Sequence, residues 1–171
     1  MSGDFYSERP LFGGAISSTF PLRFQDVSDI RQVPDHQEVF VDPARDESLI
    51  FELLDLKHDV GDNGSATWFL QDLATEQDAE GCTAISKGRQ GREAQNLLTV
   101  YLANLRLKAV GTDVLIVAHE PILINPLSES ATAVGAGLAV PAAQSGCMAM
   151  GEVFKLAVSS FKVNDWSLFG A

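Results

Sequence analysis

The stretch that decides the fold runs LLTVYLANLRLKA at 97–109 and, after Val110 and Gly111, TDVLIVAHEPILI at 112–124. Both halves are rich in Val, Ile, Leu, Thr and Tyr, the composition of residues that fit a pleated, half-buried surface. The glycine at the junction suits a tight reversal. The simplest reading is a hairpin of two long strands at the centre of an antiparallel sheet.

Working outward toward the C-terminus, 126–144 reads as loop or linker, and 147–163 returns to helical spacing with Met150, Phe154, Val158 and Phe161 on one face. Toward the N-terminus, 73–91 is acidic and then basic, and predicts a long loop. Before it, 61–65 has turn composition and 67–70, with Trp68 and Phe69, reads as a short strand. From Asp46 the spacing predicts a helix, with Asp46 as N-cap, Glu47 in the first turn and an apolar stripe of Leu49, Ile50, Leu53 and Leu54. On that helix Glu52, Asp55 and Asp59 would share one solvent face. Residues 38–41 read as a strand ending at Asp42 and Pro43, 26–32 as a short helical turn stopped by Pro34, and 11–20 as a first strand containing Gly13 and Gly14. Together these elements predict an α+β domain, an antiparallel sheet with helices packed on it.

A length of 171 residues with 46% hydrophobic and 20% charged content suits one domain, assigned to 10–171 after a tail at 1–9. Cys82 and Cys147 are too few and too far apart for a disulfide framework or a zinc site. Residues 1–9 carry Asp4 and Glu8 without an apolar run, so the expectation is no secretory signal and residence in the cytosol or nucleus. The most apolar loop, 131–143, contains Pro141 and falls short of the ~20 residues that span a membrane. A net charge of −11 without a basic stripe argues against nucleic acid and anionic lipid as partners.

That charge is unevenly placed. Residues 26–80 hold fifteen acids against Arg31, Arg45 and Lys57, a net of −12, whereas 81–108 set Lys87, Arg89, Arg92, Arg106 and Lys108 against Glu93 alone. If the fold gathers the first segment on one side, its field favours a basic protein partner. The plain alternative is a set of ordinary solvated side chains.

Chemical motifs are scarce. No phosphate loop, dinucleotide fingerprint, zinc spacing or nucleophile elbow is present. Asp59, Asn63 and Gly64 imitate the start of a calcium loop, but Gly61 and Leu70 stand where oxygen ligands are needed. His36, His58 and His119 lie far apart in sequence, and nothing nearby supplies a nucleophile. Glu52 and Asp55 read as exposed recognition charges rather than as a catalytic acid and base. Trp166, Leu168 and Phe169 read as residues that dock the terminus on the core.

Three ordered blocks carry a likeness: PLFGGAIS at 10–17, DVSDIRQVPDHQEVFVDP at 26–43 and SLIFELLDL at 48–56, with GTDVLIVAHEPILINP at 111–126 and WSLFG at 166–170 in support. The chain resembles the Ran guanine nucleotide release factor family, the Mog-type nuclear import factors. That resemblance implies a PsbP-like α/β/α sandwich and a protein that binds the small GTPase Ran, promotes release of its nucleotide and supports nuclear import. It also implies a protein of nucleus and cytoplasm, working without catalytic residues, cofactor or metal, and a monomer. The implied Ran-binding residues are Glu52 and Asp55 with Arg31, Asp35, Gln37 and Glu38, extended to Asp26 and Asp29 if the whole acidic segment docks on a basic patch of Ran. Two alternatives from other classes are a small hydrolase using His36 or His119 with an acid from 46–62, and a structural PsbP-like subunit sharing only the fold.

Overall fold

The computed structural model describes residues 4–28, 32–76, 83–88, 91–124, 137–138 and 146–170. The hairpin at its centre is β7 (Gly91–Leu107) and β8 (Thr112–Ile124), antiparallel and paired from Leu107 opposite Thr112 outward. Gly111, at φ 59°, makes the reversal that a residue with a Cβ enters only under strain. On the other side of β8 lies β5 (Glu47–Asp55), then β4 (Gln37–Asp42) and β3 (Gln25–Asp26), while β6 (Thr83–Gly88) flanks β7. The two-residue β9 (Gly137–Leu138) pairs with the end of β8.

Residues in this sheet alternate between two covered faces. Leu49, Phe51, Val114, Ile116 and Ala118 point to one face, where α2 (Met150–Ser159) packs through Met150, Val153 and Ala157. The same face carries a second, three-stranded sheet of β1 (Tyr6–Leu11), β2 (Ile16–Pro21) and β10 (Lys162–Val163). Phe20, Phe40 and Phe51 meet edge-on or tilted in its core, with Phe20 and Phe40 ring centroids 4.8 Å apart. Each fully buried ring of this kind contributes about 1.5–3 kcal/mol. On the opposite face Leu115, Val117, Ile50 and Leu54 form a smaller cluster with Trp68, Phe69 and Leu73 of α1 (Asp62–Glu76). The sheet therefore lies between helices, as the sequence predicts.

Several local expectations are overturned. The segment 46–55 is not a helix but β5, with the period-2 burial of a strand along Glu47–Phe51. Leu49 belongs to one core and Ile50 to the other, so both faces of the strand are apolar, and four leucine and isoleucine positions mimic a helical stripe. Asp46 is not an N-cap; it turns into the strand at φ 54°, a conformation that Asp tolerates better than most residues. Conversely, 67–70 is helical, inside α1, where Ser65 and Phe69 are buried four residues apart. Gly64, Trp68 and Phe69 lower its helical signal, and packing against β7 and β8 overrides them.

The predicted first strand at 11–20 is two strands joined by a 3-10 turn at Phe12–Gly14, and β1 starts at Tyr6, inside the presumed tail. Asp26 lies in β3 rather than a helical turn. The presumed loop at 73–91 contains the end of α1 and β6; its residues 77–82 and 89–90 lie outside the described residues, as does nearly all of the loop predicted at 126–144.

Candidate functional site at the acidic end of the sheet

Where β4 begins and β5 ends, the sheet exposes a group of acids. A turn closed by Gln37 N–H donating to the Pro34 carbonyl, at 2.9 Å, leads into β4 and leaves Asp35 in solvent. Gln37 faces Glu52 across the β4–β5 ladder, and its Nε2 donates to Glu52 Oε2 at 2.6 Å. His36 Nε2 lies 3.3 Å from the same oxygen, and its carbonyl accepts from the Leu53 amide. The Glu52 side chain keeps 21% of its surface in solvent. A carboxylate held by an amide and an exposed imidazole retains acceptor capacity for an incoming cation.

Asp55 stands three residues further on, roughly 10 Å along the strand. Because 52 and 55 differ by an odd number, they project to opposite faces of β5. The expectation of Glu52, Asp55 and Asp59 on one helix face is therefore replaced by two acids straddling the end of a strand. Asp55 is exposed, and among the described residues no ion pair engages it; Asp59 lies beyond the strand and pairs with Lys57 at 3.2 Å.

The other expected site residues divide. Asp26 is exposed, and its carboxylate caps the Ser28 amide at 2.8 Å. Glu38 points away from Gln37, to the face of the large core, where its Oε1 accepts from the Phe12 amide at 2.7 Å. Burial pushes the Glu38 carboxyl above its ordinary value, against the Phe12 hydrogen bond, with nearby Asp26 adding to the rise. It is half-buried and works inside the protein. Asp29 and Arg31 lie outside the described residues.

Comparison with known proteins gives this end its context. The profile of the family described as "Ran-interacting Mog1 protein" matches residues 9–121, which include β4, β5 and every acid just placed. The chain belongs to that family. The Ran guanine nucleotide release factor of Danio rerio is 34% identical over 153 residues, covering 72% of this chain and 82% of the relative. That of Homo sapiens is 32% identical, covering 94% of this chain and 95% of its own length. The solved Saccharomyces cerevisiae Ran-binding protein Mog1p shares the fold, with a TM-score of 0.72 at 23% identity over 98% of this chain and all of the other.

Two other charged clusters of this Mog1-family chain are engaged within the protein. Arg106 Nε donates to Asp113 at 2.9 Å, and its Nη1 donates to the Val60 carbonyl and to Asp62, fastening the β5–α1 connection. An open hollow of about 500 Å³ beside it is lined by Leu56, His58, Val60, Gly61, Asp62, Arg106 and Lys108, and Asp62 there is paired with both cations. At the far end of β4 and β5, Arg23 binds Asp4, Asp42 and Glu47. This cluster had no sequence signal, because its three acids lie 5 to 43 residues apart and Arg23 stands 19 to 24 residues from each of them.

The histidines do not converge. His36 meets Glu52, His58 is exposed on the connection to α1, and His119 is half-buried with its Nε2 enclosed and its Nδ1 3.1 Å from Ser48 Oγ. Burial holds the His119 pKa down at about 4, so it is neutral. Among the described residues no hydroxyl or thiol hydrogen-bonds His36, no group of three His, Cys, Asp or Glu could hold a metal, and no helix is long and apolar enough to cross a membrane.

Proposed function

We propose that this chain binds the small GTPase Ran through the acidic end of its sheet and promotes loss of Ran's guanine nucleotide, in support of nuclear protein import. Names carried by its relatives, Ran guanine nucleotide release factor and nuclear import protein, support the partner and the process. The observation that carries the choice of surface is the contrast in partners: Glu52 is held only by Gln37 and His36, and Asp55 is engaged by no ion pair, among the described residues. Asp35 and Asp26 add charge along the same segment, while Gln37 orients Glu52. Asp29 and Arg31 belong to the proposed surface by their place in sequence. Glu38 contributes from beneath it.

Release by such a surface is linkage rather than covalent chemistry, and needs no catalytic residue, cofactor or metal. Docking on a Ran conformation that holds nucleotide weakly lowers nucleotide affinity, and nucleotide must weaken docking by the same factor. A tenfold effect corresponds to about 1.4 kcal/mol of coupling. The protein acts as a monomer in nucleus and cytoplasm, apart from nucleic acid and membrane.

The test loads Ran with fluorescent GDP or GTP and follows nucleotide loss as the chain is added. Glu52→Lys with Asp55→Lys should abolish both acceleration and binding while the domain still melts cooperatively. Undiminished binding by that variant would remove the surface, and no binding by the wild type would remove the function. A survey of ester, phosphate and nucleoside triphosphate turnover, expected to be blank, separates this reading from the hydrolase alternative.

A further inference from the structure

Glu52 already has one basic neighbour inside the protein. His36 Nε2 lies 3.3 Å from Glu52 Oε2, the oxygen that also accepts from Gln37 Nε2 at 2.6 Å. Two backbone bonds hold the imidazole in this place. Gln37 N–H donates to the Pro34 carbonyl at 2.9 Å, closing the turn, and the Leu53 amide donates to the His36 carbonyl at 2.9 Å, tying the turn to the strand that carries Glu52. The His36 side chain is 50% exposed, so it exchanges protons freely with solvent. Of the three histidines, His36 alone is in ion-pair contact with a carboxylate among the described residues. His119 meets the Ser48 hydroxyl with its Nε2 enclosed, and His58 stands exposed beyond β5.

One proton sets the charge of the His36–Glu52 pair. Beside a neutral imidazole, Glu52 presents its full negative charge; beside a protonated one, whose ring nitrogens both donate, the carboxylate is neutralised from within. A second cation arriving at the same carboxylate is then repelled by the first. No other charged group around this end offers the same exchange. Asp35 adjoins His36 on the turn and is exposed, while Glu38 on β4 projects to the opposite face. Asp113 of β8 and Arg106 of β7 bind one another. After β5, Lys57 lies over the Trp68 ring and pairs with Asp59. On α1, which packs on the Glu52 face of the sheet, Asp62 is tied to Arg106 and Lys108, and Asp72 is exposed. Among the described residues, then, His36 is the one basic side chain within ion-pair reach of Glu52.

We propose that His36 is a proton-operated competitor at the Ran surface: protonated, it occupies Glu52 and weakens docking, and neutral, it leaves Glu52 to a cation of Ran. This rests on the Ran reading above and adds the regulation of that same site. By linkage, docking expels a proton from the pair, and Ran affinity rises with pH across the range in which histidines lose their charge, about pH 5 to 8.

The test measures the affinity of the full chain for Ran, held in one nucleotide state, at about pH 8 and about pH 6. The loss of affinity between the two should be about three- to fivefold larger for the wild type than for His36→Asn, the factor that an exposed ion pair supports. Comparison with the variant cancels the titration of Ran and of every other group, and a melting curve at each pH checks that both chains are folded. His36→Lys, whose charge does not titrate in this range, should bind weakly at both pH values. In a Glu52→Gln background, His36→Asn should leave the pH dependence unchanged, because no carboxylate remains to be occupied. If wild type and His36→Asn lose affinity in parallel, or if His36→Asn binds weakly at both pH values as the loss of a direct Ran contact would require, the competitor is overturned while the Glu52 and Asp55 surface stands on its own test. Should the wild type fail to bind Ran at either pH, both readings fall together.

Discussion

Glu47 and Glu52 lie five residues apart on one strand and have opposite fates. Glu47 is 2% exposed and receives Arg23, which also binds Asp42 and Asp4 and donates to the Met148 carbonyl. Burial pushes the Glu47 carboxyl up, and the Arg23 contacts work against that rise. Among the described residues Glu52, at the other end, meets a neutral amide and an exposed imidazole and no other side chain. Both are acids in the same charged segment, and a count of charge treats them alike. What separates them is whether the fold brings a cation to them, so an acidic composition locates a recognition surface only after the internally satisfied acids are subtracted.

The largest effect should come from breaking the closed end. Arg23→Met leaves Asp4, Asp42 and Glu47 buried without their shared partner, which should cost about 3–5 kcal/mol in urea unfolding. If stability is instead unchanged, the two ends are not different in kind. The acids of the open end should show the reverse pattern: Glu52→Ala should lower Ran affinity about tenfold, near 1.4 kcal/mol, without measurable loss of stability.

Acid should act near the closed end, through His119, which pairs with Ser48 beside Glu47. Its folded pKa, about 4, lies below the 6.5 of an unperturbed histidine, so the unfolded chain takes up the proton first. Stability from this group is complete above pH 6.5 and is lost as pH falls toward 4, by as much as about 3 kcal/mol. Glu38 and Glu47, raised by burial, work in the opposite sense but are common to wild type and variant. The difference in unfolding free energy between wild type and His119→Asn should therefore shrink as pH falls through that window. Parallel curves would mean that His119 is not held neutral. The smallest change, Ser48→Ala, removes the hydrogen bond to His119 Nδ1 and should cost about 1 kcal/mol with Ran binding intact.

The central hairpin was legible because its composition and its glycine agree with its environment, and β8 does lie between β5 and β7. The helix expected within 147–163 was legible for the same reason, although α2 is shorter, Met150–Ser159, buries Met150, Val153 and Ala157 most deeply, and ends before Phe161. β5 was misread because a strand covered on both faces has no polar side to mark its period. That error moved Glu52 and Asp55 onto a helix, yet left them among the site residues, since the resemblance that singled them out depends on residue order rather than on secondary structure.

Residue order alone therefore determined the family and the α+β class and singled out the acids proposed to meet Ran, because local composition and motif order survive without knowledge of contacts. Only the tertiary structure decided which carboxylates remain free, that Glu52 and Asp55 straddle a strand end, and that Glu38 reaches back to pin the Phe12 amide. Those outcomes depend on pairings between segments 15 to 26 residues apart, and a carboxylate reads the same in sequence whether or not an arginine folds onto it.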